Sequence, residues 1–446
     1  MKIKISQLAV SLAFIVAAAP VLGADLLNVY REAQLQDAVY AGAKAQYIAA
    51  QERLPQGRAL LLPNINFQAG TNYNDLNTDY PSGIFVSGQR DFYDYNYGVT
   101  LTQPIYRRAN NLTYEQAKIQ VKQAENQLSA ASQDLMTRVT QAYFDVLLAR
   151  ANLNTIRSQK TAVAEQLEQA KRNFIVGTAT ITDSREAQAR YDLVVAQELG
   201  AENDLEVRMR ALEQIIGKPA GELAGLSLPV TLNPPDPVDM NAWVEQAYQS
   251  SLQVALSQQS LELAAREVDK SRAGHYPTLD AVGSLAQNYA NSSAQGIASD
   301  VRAFIVGLQL NIPLYQGGAI DSRVREAIAN QEKARQDVEN AKRTVALQTR
   351  QAYLGVTSGL GQVKALEQAV ASTQLQLEST KLGQEVGVRT AVDVLNADQQ
   401  LAIARRDFAQ SIYNTILNQL KLKAAVGKLT EADLADINSL LRDNGK

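Results

Sequence analysis

Residues 176–183 read VGTATITD and residues 386–393 read VGVRTAVD, so the same Val-Gly pair and the same final Asp recur 210 residues later. Three further matches share this separation: Gln141-Ala142-Tyr143 with Gln351-Ala352-Tyr353, Lys171 with Lys381, and Gly217-Lys218 with Gly427-Lys428. Matches at one constant separation, spread over this length of chain, indicate a tandem duplication of about 200 residues. Each half is therefore expected to fold into the same set of elements.

The first 23 residues have the pattern of a secretory signal peptide. Lys2 and Lys4 precede a largely apolar run at residues 8–19, and small residues follow Pro20. A transmembrane anchor is the alternative, but a run of about 12 residues is too short, because a membrane helix needs about 20. We therefore expect residues 1–23 to be removed from the mature protein.

The composition argues against several classes of function. The 446 residues carry a net charge of −3 without a basic stripe, so nucleic acid is not an expected partner. There is no cysteine, and His275 is the only histidine, so catalytic dyads and soft-metal sites lack their residues. We expect neither an enzyme nor a resident cofactor or metal, and a structural or interfacial role for His275.

Two segments have the composition of very long helices. Residues 110–175 contain no Pro or Gly, and their small and apolar residues recur at helical spacing. At 1.5 Å per residue, such a helix would be roughly 100 Å long. The corresponding segment of the second half is 319–385. Three glycines in its interior, Gly355, Gly359 and Gly361, predict close helix contact or a bend.

Four shorter segments alternate with a period of two, which is typical of strands with one apolar and one polar face. In the first half these are residues 64–74 and 92–104, separated by a loop at 75–91. In the second half they are residues 278–289 and 302–313. Ile305 is an exception, because it falls on the polar face of the last strand.

Strands of about ten residues have the length of a membrane-spanning β-strand, and the tyrosines on the apolar face suit its interfacial girdles. The alternative is a small amphipathic sheet packed on helices, which would not explain so polar an opposite face. Four strands cannot close a barrel, since the smallest single-chain membrane barrels have about eight. We therefore expect a barrel shared between chains, of eight strands for two copies or twelve for three.

Several motifs, in order and at matching spacing, resemble the TolC family of outer-membrane channel proteins over essentially the whole mature chain. The two repeated turns look like that family's helix-to-helix turns. Other segments look like its strand-to-helix transitions, its entrance to the third strand and its C-terminal segment: Leu101–Pro104, Ile312–Gly318, Gly274–Asp280, and Gly427–Thr430 with Asp433-Leu434.

The resemblance implies a mainly α fold with a membrane β-barrel part. It implies a homotrimer in the Gram-negative outer membrane with a shared twelve-stranded barrel, and an α-barrel tunnel of long, coiled-coil-like helices through the periplasm. The implied domains are a first repeat at 24–218, a linker and equatorial region at 219–240, a second repeat at 241–428 and a C-terminal equatorial segment at 429–446. The implied partners are a periplasmic adaptor, an inner-membrane transporter and outer-membrane lipid.

The family serves drug efflux and type I protein secretion as a passive channel gated at its periplasmic tips. By resemblance, Asp393 forms a ring of carboxylates at the constriction and Asn396 a second, uncharged ring, which implies weak cation block. Arg389 would pair with Asp183, beside Thr182, to hold the mouth shut. Gln384 stands where the family has an aromatic latch residue. The implied adaptor-docking tips are Val176, Gly177, Val386 and Gly387.

Read without the resemblance, Asp183 and Asp393 are better explained as ordinary helix caps or partners of the helix dipole. Two other functions also remain open at this point. A stand-alone porin would need strands through most of the chain, and a periplasmic coiled-coil scaffold would not need Tyr-bearing strands.

Overall fold

The computed structural model describes residues 25–81, 87–226 and 230–442, and the signal-peptide segment lies outside them. The described residues of Met1–Ala33, Val139–Thr231 and Ala432–Lys446 form one compact unit. Those of Gln34–Arg138 and Leu232–Glu431 form the other. We call them the first and second units. The boundary between them falls inside the longest helix.

The helices repeat in the order that the duplication predicts. Both long segments are single helices, of 68 and 67 residues, each followed by a helix of 36 or 35 residues. None of the helices that the structure describes is both long and apolar enough to cross a membrane. The bounds are α1 Leu26–Gln36, α2 Ala38–Gln51, α3 Arg53–Ala59, α4 Arg108–Ile175, α5 Ile181–Ile216, α6 Met240–Ser250, α7 Leu252–Arg272, α8 Ala319–Glu385, α9 Ala391–Ala425 and α10 Glu431–Asn438.

The second unit contains a four-stranded antiparallel sheet in the order β1-β2-β4-β5. Its strands are β1 Asn64–Thr78, β2 Gly88–Tyr106, β4 Thr278–Ala290 and β5 Ser299–Asn311. The first hairpin is longer than the sequence pattern predicts, because β1 and β2 stay paired as far as Thr78 and Gly88. Gln89 donates to Asp75 at 2.9 Å within this extension, where the polar residues Asp75 and Asn77 continue the apolar face and the alternation disappears.

The pairing register places the apolar side chains of all four strands on one face. Phe67 lies opposite Val99, Val99 opposite Leu285, and Leu285 opposite Phe304. These side chains are exposed in the single chain, with Phe304 at 75%. Ile305 lies opposite Ser284 on the other face, as the sequence predicts. Within the described residues, each edge strand, β1 and β5, is paired on one side only.

The core of the second unit lies where α6, α7, α8 and α9 pack together. Trp243, Val254, Val345 and Leu422 are among its buried residues. The prediction of close helix contact is confirmed for two glycines: a Cβ at Gly355 would lie 2.7 Å from Nδ2 of Asn418, and one at Gly359 would collide with Thr415. Gly361 faces open space, so close contact does not explain it.

Ionic contacts join strands to helices in the second unit. Arg107, between β2 and α4, donates to both carboxylate oxygens of Asp280 on β4, at 2.8 Å from Nε and 2.6 Å from Nη2. Nε2 of His275 lies 3.2 Å from Oδ1 of Asp321 near the start of α8, which fits the structural role expected of this histidine.

In the first unit, α4 and α5 are joined by an ionic network. Arg157 and Lys160 of α4 contact Glu198 and Glu202 of α5, the shortest contact being 2.5 Å between Lys160 and Glu198. The linker contributes strand β3 Gly225–Leu226, which pairs with β6 Leu441–Arg442. This pairing brings the linker and the C-terminal segment together.

Candidate functional site at the helix tips

The first tip is a tight turn between α4 and α5. Gly177 adopts a φ of 76°, a left-handed conformation that glycine adopts without the steric penalty of a Cβ. The N–H of Thr178 donates to the carbonyl of Asn173 at 2.9 Å and closes the end of α4. Both Val176 and Gly177 are exposed.

The second tip repeats this turn between α8 and α9. Gly387 has a φ of 80°, and the N–H of Val388 donates to the carbonyl of Gly383 at 2.9 Å. Val386 and Gly387 are exposed at this tip. The predicted docking residues therefore form matching turns, one in each unit.

Each turn ends in a capping box. The hydroxyl of Thr390 accepts from the N–H of Asp393 at 3.2 Å, and Oδ2 of Asp393 accepts from the N–H and hydroxyl of Thr390, both at 2.9 Å. Thr180 and Asp183 make the same bonds at the first tip. Such a box satisfies N–H groups that the helix itself leaves without acceptors.

The capping bonds also keep the carboxylates charged. The N–H and hydroxyl of Thr390 lower the pKa of Asp393, and the positive charge of Arg389 lowers it further. The N–H and hydroxyl of Thr180 likewise lower the pKa of Asp183. Among the described residues, no donor binds Oδ1 of Asp393. One oxygen thus caps the helix while the other is available to a cation, so capping and a role in the pore are compatible.

Arg389 packs against the end of α8. A Cβ at Gly383 would lie 2.8 Å from Cγ of Arg389, so the glycine provides the space for this side chain. The first tip has Asn173 and Ala179 at the corresponding positions. The arginine and the glycine beneath it therefore belong to the second tip alone.

The remaining predicted residues are exposed at the tips. Asn396 lies one turn after Asp393 on α9, near the same face, and Gln384 is near the end of α8. Thr182 and Asp183 belong to the first unit, and the other predicted gate residues belong to the second. The pairing of Arg389 with Asp183 joins residues of different units and stays a prediction.

Sequence reasoning missed three residues at this site: Thr180, Thr390 and Gly383. The spacing Thr-x-x-Asp before a helix was a signal for the two threonines. Gly383 gave no local signal, because its contact with Arg389 depends on how the turn folds back. No group of three or more potential metal ligands occurs among the described residues.

Comparison of the sequence with known proteins identifies its family. The profile of the family described as outer membrane efflux protein matches residues 29–218 and 243–428. Outer membrane protein TolC of Vibrio cholerae serotype O1 is 34% identical over 443 residues, which cover 98% of this chain and 99% of that protein. Proteases secretion protein PrtF of Dickeya chrysanthemi is 30% identical over 418 residues, covering 92% and 90%.

The fold is also that of solved outer membrane channels. The CmeC outer membrane channel of Campylobacter jejuni aligns with a TM-score of 0.79 at 18% identity, covering 99% of this chain and 97% of that one. The family profile matches both copies of the internal repeat, and the resemblance deduced from the sequence motifs is thereby confirmed. The chain belongs to the outer membrane efflux protein family.

Proposed function

We propose that three copies of this chain form an export duct across the outer membrane and the periplasm. Its family makes the chain an outer membrane channel for efflux and secretion. In the proposal, each copy contributes four strands to a shared twelve-stranded barrel and its long helices to a tunnel. A periplasmic adaptor and an inner-membrane transporter supply cargo and energy, and the duct is passive.

The sheet carries this proposal. Its apolar face is exposed, and β1 and β5 each have a free edge among the described residues. An open edge is not tolerated in lipid, because the unpaired backbone groups find no partner there. Pairing of β5 with β1 of a neighbouring copy would satisfy both edges. Three copies leave a lumen that accommodates the polar face, as the wider membrane barrels do.

The mass of the complex tests the number of copies. We expect the protein to fractionate with the outer membrane and, after detergent solubilisation, to have the protein mass of three chains. A mass of two chains would support an eight-stranded barrel instead. A monomer in the soluble periplasmic fraction would contradict the duct.

We place the gate of the duct at the two helix tips, with Arg389 holding it shut through Asp183. Arg389→Ser should raise single-channel conductance in planar bilayers or increase the fraction of time open. A single exposed ion pair is weak, but three act together, so we expect a change of about three- to tenfold. Arg185→Ser removes the same charge from the first tip and serves as the control. Equal effects of both substitutions would argue against a specific latch.

The proposed ring of Asp393 carboxylates at the constriction leads to a second prediction, which concerns channel block by cations. Asn396→Asp adds one carboxylate per chain next to Asp393 and should strengthen channel block by divalent and trivalent cations. Because affinity for such ions rises with the number of carboxylate ligands, we expect half-block at a concentration about tenfold lower. Gln399→Asp adds the same charge about one turn further along α9, away from Asp393, and should strengthen the block less. An unchanged block in Asn396→Asp would remove this residue from the constriction.

A further inference from the structure

The duplication creates two equivalent junctions between a short helix and the helix that follows it. Asp37 separates α1 from α2, and Ser251 separates α6 from α7. Both α1 and α6 have 11 residues. Each junction residue stands directly before the first turn of the next helix, where backbone N–H groups have no acceptor within the helix. The two junction residues are therefore equivalent by their place in the order of helices, although 214 residues separate them rather than 210.

At the first junction, the carboxylate at the start of α2 belongs to the junction residue itself, Asp37. Oδ1 of Asp37 accepts from the N–H of Tyr40 at 2.7 Å, and both carboxylate oxygens accept from the guanidinium of Arg138 at 3.1 Å. Asp37 is only 4% exposed. Burial acts to raise the pKa of Asp37, but the hydrogen bonds from Arg138 and Tyr40 outweigh it and the pKa is lowered. A buried, charged carboxylate thus occupies the start of α2.

The second junction lacks this carboxylate. Ser251 is also 4% exposed, yet its hydroxyl makes no capping bond to α7. Gln348 stands where the duplication would place a second Arg138, 210 residues along the chain. The start of α7 therefore has N–H groups in its first turn that no side chain caps, and the Ser251 hydroxyl makes no hydrogen bond to them.

A groove of about 670 Å³ opens at this junction. Ser251, Leu252 and Gln253 line it, together with amide side chains and one cation, Lys421 of α9. No carboxylate pairs with Lys421 in the part of the chain that the structure describes. Asp134 is the one acidic residue in the lining, and Nε of Arg138 binds its carboxylate at 2.6 Å. The groove thus offers hydrogen-bond donors and the positive charge of Lys421, and its one carboxylate is held by Arg138, which also binds Asp37.

We propose that this groove binds an external oxyanion, the carboxylate or phosphate group of a small molecule. The anion takes the place that the Asp37 carboxylate holds at the first junction. The hydroxyl of Ser251, the N–H groups at the start of α7 and the ammonium group of Lys421 donate to it. A helix N-terminus favours an anion through its dipole and its free N–H groups, and Lys421 replaces the missing arginine. The site is separate from the helix tips and does not depend on the proposed gate.

Binding of inorganic phosphate and of acetate to the full-length protein in detergent, followed by calorimetry, tests the proposal. We expect one site per chain, and preference for either anion identifies the class of ligand. Lys421→Gln should weaken binding about tenfold, because a charge-assisted hydrogen bond is lost. Lys423→Gln removes the same charge two residues away, outside the groove lining, and should leave the affinity unchanged. Equal losses in both variants, or binding of neither anion by the wild type, would overturn the proposal.

A second variant gives the start of α7 the residue type that stands at the start of α2. Ser251→Asp provides a carboxylate that caps α7 from within the chain, so it should abolish binding of the external anion. The same change should raise the midpoint of thermal unfolding, because the new carboxylate would accept from N–H groups of α7 that Ser251 leaves uncapped, as Asp37 does at α2. This pair of results is not expected of a residue with a merely structural role. Anion binding by Ser251→Asp with the affinity of the wild type would contradict the site.

Discussion

Val306→Arg is expected to prevent the protein from inserting into the outer membrane, whereas Ile305→Arg should leave insertion intact. The two residues are neighbours on β5, both are apolar, and both are exposed in the single chain, at 71% and 58%. They differ in the face of the sheet. Val306 lies opposite Gly283 on the face that Phe304 shares, and Ile305 lies opposite Ser284 on the polar face. The proposed barrel turns the first face to lipid and the second to water.

The size of the effect follows from the cost of a charge in lipid. Arginine on the lipid face of a barrel costs about 2–4 kcal/mol at the bilayer midplane and almost nothing near the interfaces. The proposed trimer would contain three such arginines, so the total cost approaches the whole stability of a typical domain. In the lumen the same side chain remains hydrated. Because both variants introduce arginine into the same strand, the difference between them measures only which face of the sheet contacts lipid.

Membrane fractionation followed by electrophoresis of unheated samples measures both variants. We expect Val306→Arg in aggregates or degraded, and Ile305→Arg as a stable oligomer in the outer membrane. The reverse pattern would mean that the sheet is oriented the opposite way. Normal insertion of both variants would show that this part of β5 does not contact lipid.

The elements with regular patterns were predictable from the sequence. The ends of α4 and α8 lie within two residues of the predicted ends, because Pro and Gly are excluded from the first segment and the repeat defines the second. The two faces of the sheet followed from alternation, including the exceptional position of Ile305. The tips of the strands were less predictable, since polar residues occupy both faces there, for example Gln89 on one face and Arg90 on the other.

Contacts between distant residues were not predictable. The strands β3 and β6 have two residues each and no periodicity, so their pairing depends on where the linker and the C-terminal segment meet. At the tips, the sequence identified the carboxylates but did not distinguish capping from a role in the pore. The structure assigns one oxygen of Asp393 to the cap, and this detail depends on side-chain geometry.

The ion pair between Arg107 and Asp280 joins residues 173 positions apart, and its loss is the second large effect that we expect. Arg107→Met would leave the Asp280 carboxylate, which is 9% exposed, without its bidentate partner. Breaking a fully buried pair costs about 3–5 kcal/mol, but the guanidinium is 40% exposed, so water reduces the cost here to about 1–3 kcal/mol. A lower temperature of unfolding in detergent would measure it.

The unequal exposure of the two partners predicts an asymmetry between the two single variants. Asp280→Asn leaves a guanidinium that water can reach, so it should destabilise the protein less than Arg107→Met, which leaves a buried charge without a partner. Arg107→Met combined with Asp280→Asn should recover part of the loss, because the orphaned charge is removed as well. The double-mutant cycle gives the interaction between the two side chains. Additive effects of the two substitutions would mean that the pair, despite its geometry, does not stabilise the joint between β4 and the start of α4.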